Sequence, residues 1–298
     1  MHVDERHTSS PLDAVYCETG FAPKHHYGVF EGVELHWVEI GDSTSTPPVV
    51  LLHGLSDCHQ TWSRIAVELA KERRVLIPDL PGHGYSGHPD ASYALGWHAR
   101  VMAGWMEALE IELADVVGHS FGGGVAQMLL LECRDRIGKL ALIASGGLGR
   151  EIAFELRLAS LPWIIEKLGQ PFMRAGTMLA LGQARNQLTR AQLDEIGDIN
   201  AQRGSARAFA RTVGDVINWR GQTRNFFQRA HEVADLPPIG LFWGDRDRVV
   251  PIAHAHELVA RVGGIPLTVF NGCGHFPHHE APGKVNAALR AFFAGLGS

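Results

Sequence analysis

The chain has 298 residues, of which 45% are hydrophobic and 20% charged, a balance that excludes a disordered chain. Its net charge of −5 excludes an overall basic footprint for nucleic acid. No apolar run approaches the roughly 18 residues of a membrane-spanning helix, and the first residues carry acids rather than a leader pattern.

Residues 1–24 are polar and irregular and read as a loose lead-in. Tyr27–Phe30 and Val33–Ile40 alternate around Glu31-Gly32, the pattern of a hairpin. The texture then changes to short continuous apolar runs: Val49–Leu52, Val75–Ile77, Asp115–Val117 and Leu140–Ala144. Strands buried on both faces of a parallel sheet have this character. Between them, apolar residues recur at helical spacing, as in Trp62, Ile65, Ala66 and Leu69, or Val101, Met102, Trp105 and Leu109, or Val125, Met128 and Leu129. Alternating strand and helix at this pitch predicts a doubly wound α/β sheet. From 148 to 235 no strand pattern is present. Helical stretches are predicted there over Ile152–Leu168, Gln192–Arg203 and Ala206–Trp219, broken by Pro162, Gly169-Gln170-Pro171 and Gly221. The sheet pattern resumes after Pro237-Pro238 with Ile239–Trp243 and Leu267–Phe270, and the chain ends in a helix over Pro282–Phe293. The simplest organisation is a core of residues 25–147 and 236–298 with a helical insertion at 148–235. The insertion is net +3 and the remainder −8, and eleven of its twelve basic residues are arginine. Such arginines suit either exposed helix faces or attraction of a carboxylated substrate. The four cysteines (Cys17, Cys58, Cys133, Cys273) are scattered without a Cys-x-x-Cys pair, so reduced thiols and a cytoplasmic location are expected.

Gly118-His119-Ser120-Phe121-Gly122 follows a predicted strand and precedes a predicted helix, the context of a nucleophile elbow. Such a turn holds its serine in a strained backbone conformation. It needs glycine two residues to either side, where a side chain would strike neighbouring backbone. The N–H of Phe121 then lies at a helix N-terminus, where donors are unpaired and the dipole favours an anion. A serine hydroxyl also needs a base, itself held by an acid. His275 follows a glycine after the strand Leu267–Phe270, and the strand Ile239–Trp243 runs into Gly244-Asp245-Arg246-Asp247, which offers two carboxylates. The chain order serine, acid, histidine is the one the α/β-hydrolase arrangement uses.

From Tyr27 onward the chain resembles α/β-hydrolase fold serine hydrolases with a helical cap, of the lipase/esterase-like kind. Four ordered motifs carry the resemblance: His53-Gly54, Asp79-Leu80-Pro81-Gly82-His83-Gly84, Gly118–Gly122, and Gly244–Pro251 with Gly274-His275. Ser145–Arg150 and Asn218–Gln222 resemble stretches of capped bacterial members. The resemblance implies an eight-stranded, mostly parallel sheet, with 148–235 as the cap. It implies Ser120 as nucleophile and His275 as base. The family spacing, with the acid three residues after the glycine and four before the proline, selects Asp247 over Asp245. The backbone N–H groups of Leu55 and Phe121 would form the oxyanion hole, and no metal or organic cofactor is implied. Trp62 is either pocket lining, by resemblance, or helix core, and His119 and Phe276 are further pocket candidates. Trp163, Trp219 and Phe226–Phe227 either form a lid over an apolar pocket or, for any one of them, pack within the cap. Among the histidines, Pro277 breaks helical spacing in His275–His279, and His254 and His256 fall on different helix faces, so no metal site is expected. Cys58 and Cys273 read as buried bystanders.

Relatives of this fold that use aspartate at the elbow form alkyl esters, whereas serine indicates acyl transfer. The expected activity is hydrolysis of a carboxylic ester, lactone or thioester through an acyl-enzyme, on a small-molecule acyl substrate with an apolar portion. A serine-dependent C–C bond hydrolase or an acyltransferase stays open, although Leu55-Ser56-Asp57-Cys58 lacks the further glycines usual after His-Gly in C–C hydrolases. A ligand-binding protein that keeps the triad but turns over negligibly is the third alternative.

Overall fold

A computed structural model of the chain describes residues 3–5, 10–158, 162–180, 189–223 and 229–295. Its first strands are β1 (Asp4–Glu5), β2 (Lys24–Phe30), β3 (Val33–Ile40), β4 (Val49–Leu52), β5 (Val75–Pro78), β6 (Ala114–His119) and β7 (Ile137–Ile143). A small hairpin of β8 (Ile217–Asn218) and β9 (Gly221–Gln222) follows, then β10 (Ile239–Gly244) and β11 (Leu267–Phe270). One sheet takes the order β1-β2-β3-β5-β4-β6-β7-β10-β11. The six strands from β5 to β11 pair in parallel, and β1 to β3 extend one edge antiparallel. Val49–Leu52, Val116, Val117 and Leu140–Ile143 are wholly buried, which is why these segments read as unbroken apolar runs. Because the parallel strands end at one edge, the loops after β4, β6, β10 and β11 converge there.

The helices flanking the sheet are α2 (Ser63–Leu69), α3 (Leu95–Ala108), α4 (Phe121–Glu132), α10 (Ala253–Val262), α11 (Pro277–Glu280) and α12 (Pro282–Phe293). Between β7 and β10 lie α5 (Phe154–Leu158), α6 (Pro162–Leu168), α7 (Met173–Ala180), α8 (Arg190–Asn200) and α9 (Ser205–Val216). Several expectations for this stretch need correction. In the stretch predicted helical over Ile152–Leu168 and broken at Pro162, the described helices are Phe154–Leu158 and Pro162–Leu168. The helix predicted to Trp219 ends at Val216, where the chain enters the β8–β9 hairpin in a region expected to hold no strand. Gly221, at φ 119°, makes that turn possible. Trp163 and Trp219 are exposed rather than packed as cap core, and Trp219 makes an edge contact with Phe154. Phe226–Phe227 lie outside the described residues.

The supposed lead-in is the largest departure. The sheet has nine strands rather than eight because Asp4–Glu5 pairs with His26–Tyr27, a contact too short to leave a sequence pattern. Ser10 caps a helical turn, Pro11–Asp13, that runs into α1 (Ala14–Glu18), and Leu12 and Tyr16 are fully buried. Leu12 packs with Cys58 of the core and with Ile196 and Ile199 of α8. Tyr85 ties the same three parts together, with its hydroxyl 3.0 Å from Ser10 Oγ and donating to Glu195 of α8 at 2.5 Å.

Behind this contact runs a buried polar line. His25 Nε2 is 3.1 Å from Asp13, His25 Nδ1 is 2.8 Å from His36 Nε2, and His36 Nδ1 is 2.7 Å from Asp79. Burial pushes His36 down to about 4 in spite of its bond to Asp79. Asp79 also accepts from the backbone and ring of His59 and from Tyr85 N–H. Burial by itself would raise the Asp79 carboxyl, but the facing His59 and the hydrogen bonds from His36 and His59 hold it well below the usual range.

Other histidines are buried without a hydrogen bond to a carboxylate. Burial pushes His53, His83 and His279 down to about 4, and His98, His119 and His278 well below their ordinary 6.5. A ring that takes its proton near 6.5 when unfolded and near 4 when folded favours unfolding as pH falls through that window. Each such ring costs up to about 1.4 kcal/mol per pH unit. Urea unfolding should therefore show stability falling by more than a few kcal/mol between about pH 7 and about pH 5. A level stability across that range would contradict neutral rings in the interior.

Candidate active site

β6 delivers Ser120 into a turn at φ 52° and ψ −115°, a conformation costly for any residue but glycine. Hydrogen bonds hold the turn on both sides. Ser120 N–H donates to Ile143 C=O at 3.1 Å, and its carbonyl accepts from Gly123 at 3.1 Å, Gly124 at 3.3 Å and Gly146 at 3.0 Å. The two motif glycines are required by close approach. A methyl on Gly118 would lie 2.6 Å from the Gly122 carbonyl oxygen, and one on Gly122 would overlap the carbonyl oxygens of Leu52 and His53. The start of α4 thus sits directly on the end of β4. His53 staples the loop there, its Nδ1–H donating to Gly54 C=O at 2.8 Å and its Nε2 accepting from Leu80 N–H at 2.9 Å. Leu55 is thereby brought to the same cavity wall as Ser120 and Phe121.

The structure brings Ser120, His275 and Asp247 into one line. The Ser120 hydroxyl donates to His275 Nε2 at 3.0 Å, and His275 Nδ1–H donates to Asp247 Oδ2 at 2.8 Å. The buried Asp247 carboxylate accepts from Val249 and Val250 N–H through its other oxygen at 2.8 and 2.9 Å. Trp243 Nε1–H, donating to Val250 C=O at 3.0 Å, folds that turn onto the strand. Asp245 is exposed and accepts from Gly272 N–H at 2.6 Å, away from the histidine. Glu280 accepts from Gly274 N–H at 2.9 Å and so orders the loop carrying His275, a role the sequence reading does not assign to it.

Three pocket candidates do not line the cavity beside Ser120. Trp62 is fully buried and stacks on His278 with ring centroids 4.8 Å apart, which makes it helix core. His119 is buried beneath the loop, and its Nε2–H donates to the His275 carbonyl at 2.9 Å. Phe276 packs against the His119 ring at 5.0 Å. The cavity beside Ser120, about 60 Å3, is lined instead by Leu55, Phe121, Leu95 and Val250 of the core and by Ile152, Leu156, Val216 and Ile217 of the segment between β7 and β10. Gln222 adds a polar edge, accepting from Gly147 N–H at 2.8 Å and donating to Glu151 C=O at 3.1 Å. No charged side chain lines this cavity among the described residues. Val250 lies in the motif that carries Asp247, and Gly146, Gly147 and Gln222 lie in the stretches that resemble capped members, whereas Leu95, Ile152, Leu156, Val216 and Ile217 fall in no motif.

His278 and His279 both bond to Thr61 Oγ1, at 3.2 and 2.7 Å, and so are spent on packing the loop. Among the described residues, His36, His59 and Asp79 bring ligand atoms within 4.8 Å of one another, a spacing that could hold a metal ion. Both Asp79 oxygens there already accept protein hydrogen bonds, so the group acts as a buried hub. Burial pushes the Cys58 and Cys273 thiols up, which keeps them protonated and weakly nucleophilic.

Residues 47–282 match the family described as the alpha/beta hydrolase fold. An uncharacterized protein of Mycobacterium tuberculosis is 34% identical over 251 residues, which cover 80% of this chain and 73% of the relative. The 2-hydroxymuconate semialdehyde hydrolase of a Pseudomonas species is 28% identical over 260 residues, covering 85% of this chain and 89% of that one. The crystal structure of Cfl2 from Burkholderia cenocepacia aligns with a TM-score of 0.78 at 23% identity, over 91% of this chain and 96% of that one. On the family match, together with the sheet order and the turn at Ser120, this chain belongs to the α/β-hydrolase fold family.

Proposed function

We propose that the protein hydrolyses a small carboxylic ester, lactone or thioester through an acyl-enzyme formed on Ser120. The observation that carries this reading is the hydrogen-bonded line from Ser120 through His275 to Asp247, at a strained turn that opens on an uncharged apolar cavity. In the first half-reaction Ser120 Oγ attacks the carbonyl carbon and His275 Nε2 takes its proton. The tetrahedral intermediate then collapses, and the same proton goes to the departing alkoxide. In the second half a water attacks the acyl carbon, passes its proton to His275, and Ser120 leaves as the reprotonated hydroxyl. Asp247 keeps Nδ1 protonated and stabilises the transient imidazolium. The N–H groups of Leu55 and Phe121 are assigned to the developing oxyanion, since both residues border the cavity at Ser120 and Phe121 is the first residue of α4. Residues 148–235 would act as the cap, supplying Ile152, Leu156, Val216 and Ile217 to the apolar wall. The four unpaired cysteines favour a reducing compartment such as the cytoplasm.

C–C bond hydrolysis by the same serine is the second reading, favoured by the 28% identity to 2-hydroxymuconate semialdehyde hydrolase. A panel of simple esters beside vinylogous diketones separates the two.

With p-nitrophenyl esters, Ser120→Ala should lower kcat by something on the order of 10⁴–10⁶ while leaving the circular dichroism spectrum unchanged. Full activity in that variant would remove the serine mechanism. Asp247→Asn should cost on the order of 10⁴, and Asp245→Asn should change kcat less than about threefold. The opposite ranking would place the acid on the exposed turn. A fluorophosphonate should label Ser120 in the wild type, and absence of labelling would favour a protein that binds without turnover.

A further inference from the structure

Leu95, the first residue of α3, stands between two cavities. It lines the chamber of about 60 Å3 beside Ser120 and also a second cavity of about 260 Å3. Gly124 and Gly147 border both as well. The larger cavity is more polar, with Arg100, Asp215 and Gln127 in its wall. Where the two meet, the Leu95 side chain covers bare helix. A methyl built on Gly124 would stand 3.3 Å from Leu95 Cδ1 and 3.6 Å from Cδ2.

The side chain has little freedom to leave this position. Leu95 is buried, and its N–H donates to Asp215 Oδ2 at 2.9 Å. Ala94, at the N-cap of α3, offers no side-chain acceptor, so Asp215 of α9 performs that service from across the chain. The element that forms part of the chamber roof thus also pins the residue that forms its end wall.

We infer that Leu95 is the specificity-determining partition that restricts the chamber to short acyl chains. The inference rests on the acyl-enzyme reading of Ser120. An apolar cavity of about 150 Å3 takes up a benzene ring, and the chamber beside Ser120, at about 60 Å3, is smaller than that, so a nitrophenyl group fits it less well than a short acyl chain. In a p-nitrophenyl ester the acyl chain is then the arm that enters it. A chain of a few carbons fills the chamber and meets Leu95. Replacing leucine by alanine removes the end wall and lets a longer chain pass into the larger cavity.

The test compares kcat/KM for p-nitrophenyl butyrate and octanoate in the wild type, Leu95→Ala and Gly124→Ala. The ratio cancels any loss of folded enzyme, because the same molecules hydrolyse both esters. Octanoate relative to butyrate should rise about tenfold or more in Leu95→Ala. It should fall in Gly124→Ala, whose added methyl narrows the passage and whose helix is favoured by alanine. Labelling rates of Ser120 with butyl and octyl fluorophosphonates should give the same two shifts without any ester turnover. Ratios unmoved in both variants and both assays would overturn the partition. A wild type that reacts with the phosphonates but hydrolyses no ester would overturn the ester reading and leave the labelling ratios to decide the partition.

Discussion

The candidate site depends on one backbone constraint: Ser120 occupies a positive-φ conformation that a non-glycine residue holds only when its surroundings over-determine it. Those surroundings are the carbonyl clamp from Gly123, Gly124 and Gly146 and the direct packing of Gly118 and Gly122 against neighbouring backbone. The constraint requires β6 to lie inside the sheet, flanked by β4 and β7, because Ile143 of β7 supplies one partner and the end of β4 supplies the opposing wall. A serine so placed projects from the sheet edge where β10 and β11 also end. That placement makes a 3.0 Å approach by His275 possible from 155 residues away in the chain.

Around that constraint the protein uses histidine mainly as a neutral, buried hydrogen-bonding group. His53 joins the loops after β4 and β5, and His119 holds the backbone of His275. Burial pushes both rings well below the ordinary histidine range. The line from Asp13 through His25 and His36 to Asp79 instead joins two buried carboxylates through ring hydrogen bonds. A buried polar network of this kind, satisfied along its length, fixes an arrangement. Here the arrangement is the seating of residues 10–18 between the sheet and α8. The N-terminal segment therefore joins the core to the helical segment, and Leu95 and Asp215 make a second join at the chamber itself.

Much was legible from the sequence by itself. Fully buried parallel strands leave continuous apolar runs, close backbone packing demands glycine at fixed offsets, and catalytic groups at strand ends sit next to turn residues. These are local consequences of physics, and they carried the fold class and drew attention to Ser120, His275 and the two carboxylates after β10. The preference for Asp247 came from the resemblance, through the family spacing to the glycine and proline, and in the structure Asp247 rather than Asp245 bonds the imidazole. What tertiary structure alone decided has no local signature. A polar N-terminal stretch is ordered because His25 and Tyr85 await it, and a two-residue strand exists because an edge is free to pair. Trp62 and His119 turn inward because the loop of His275–His279 covers them. The chamber is assembled from single residues on elements far apart in the chain, so its size and its wall at Leu95 depend on how those elements pack.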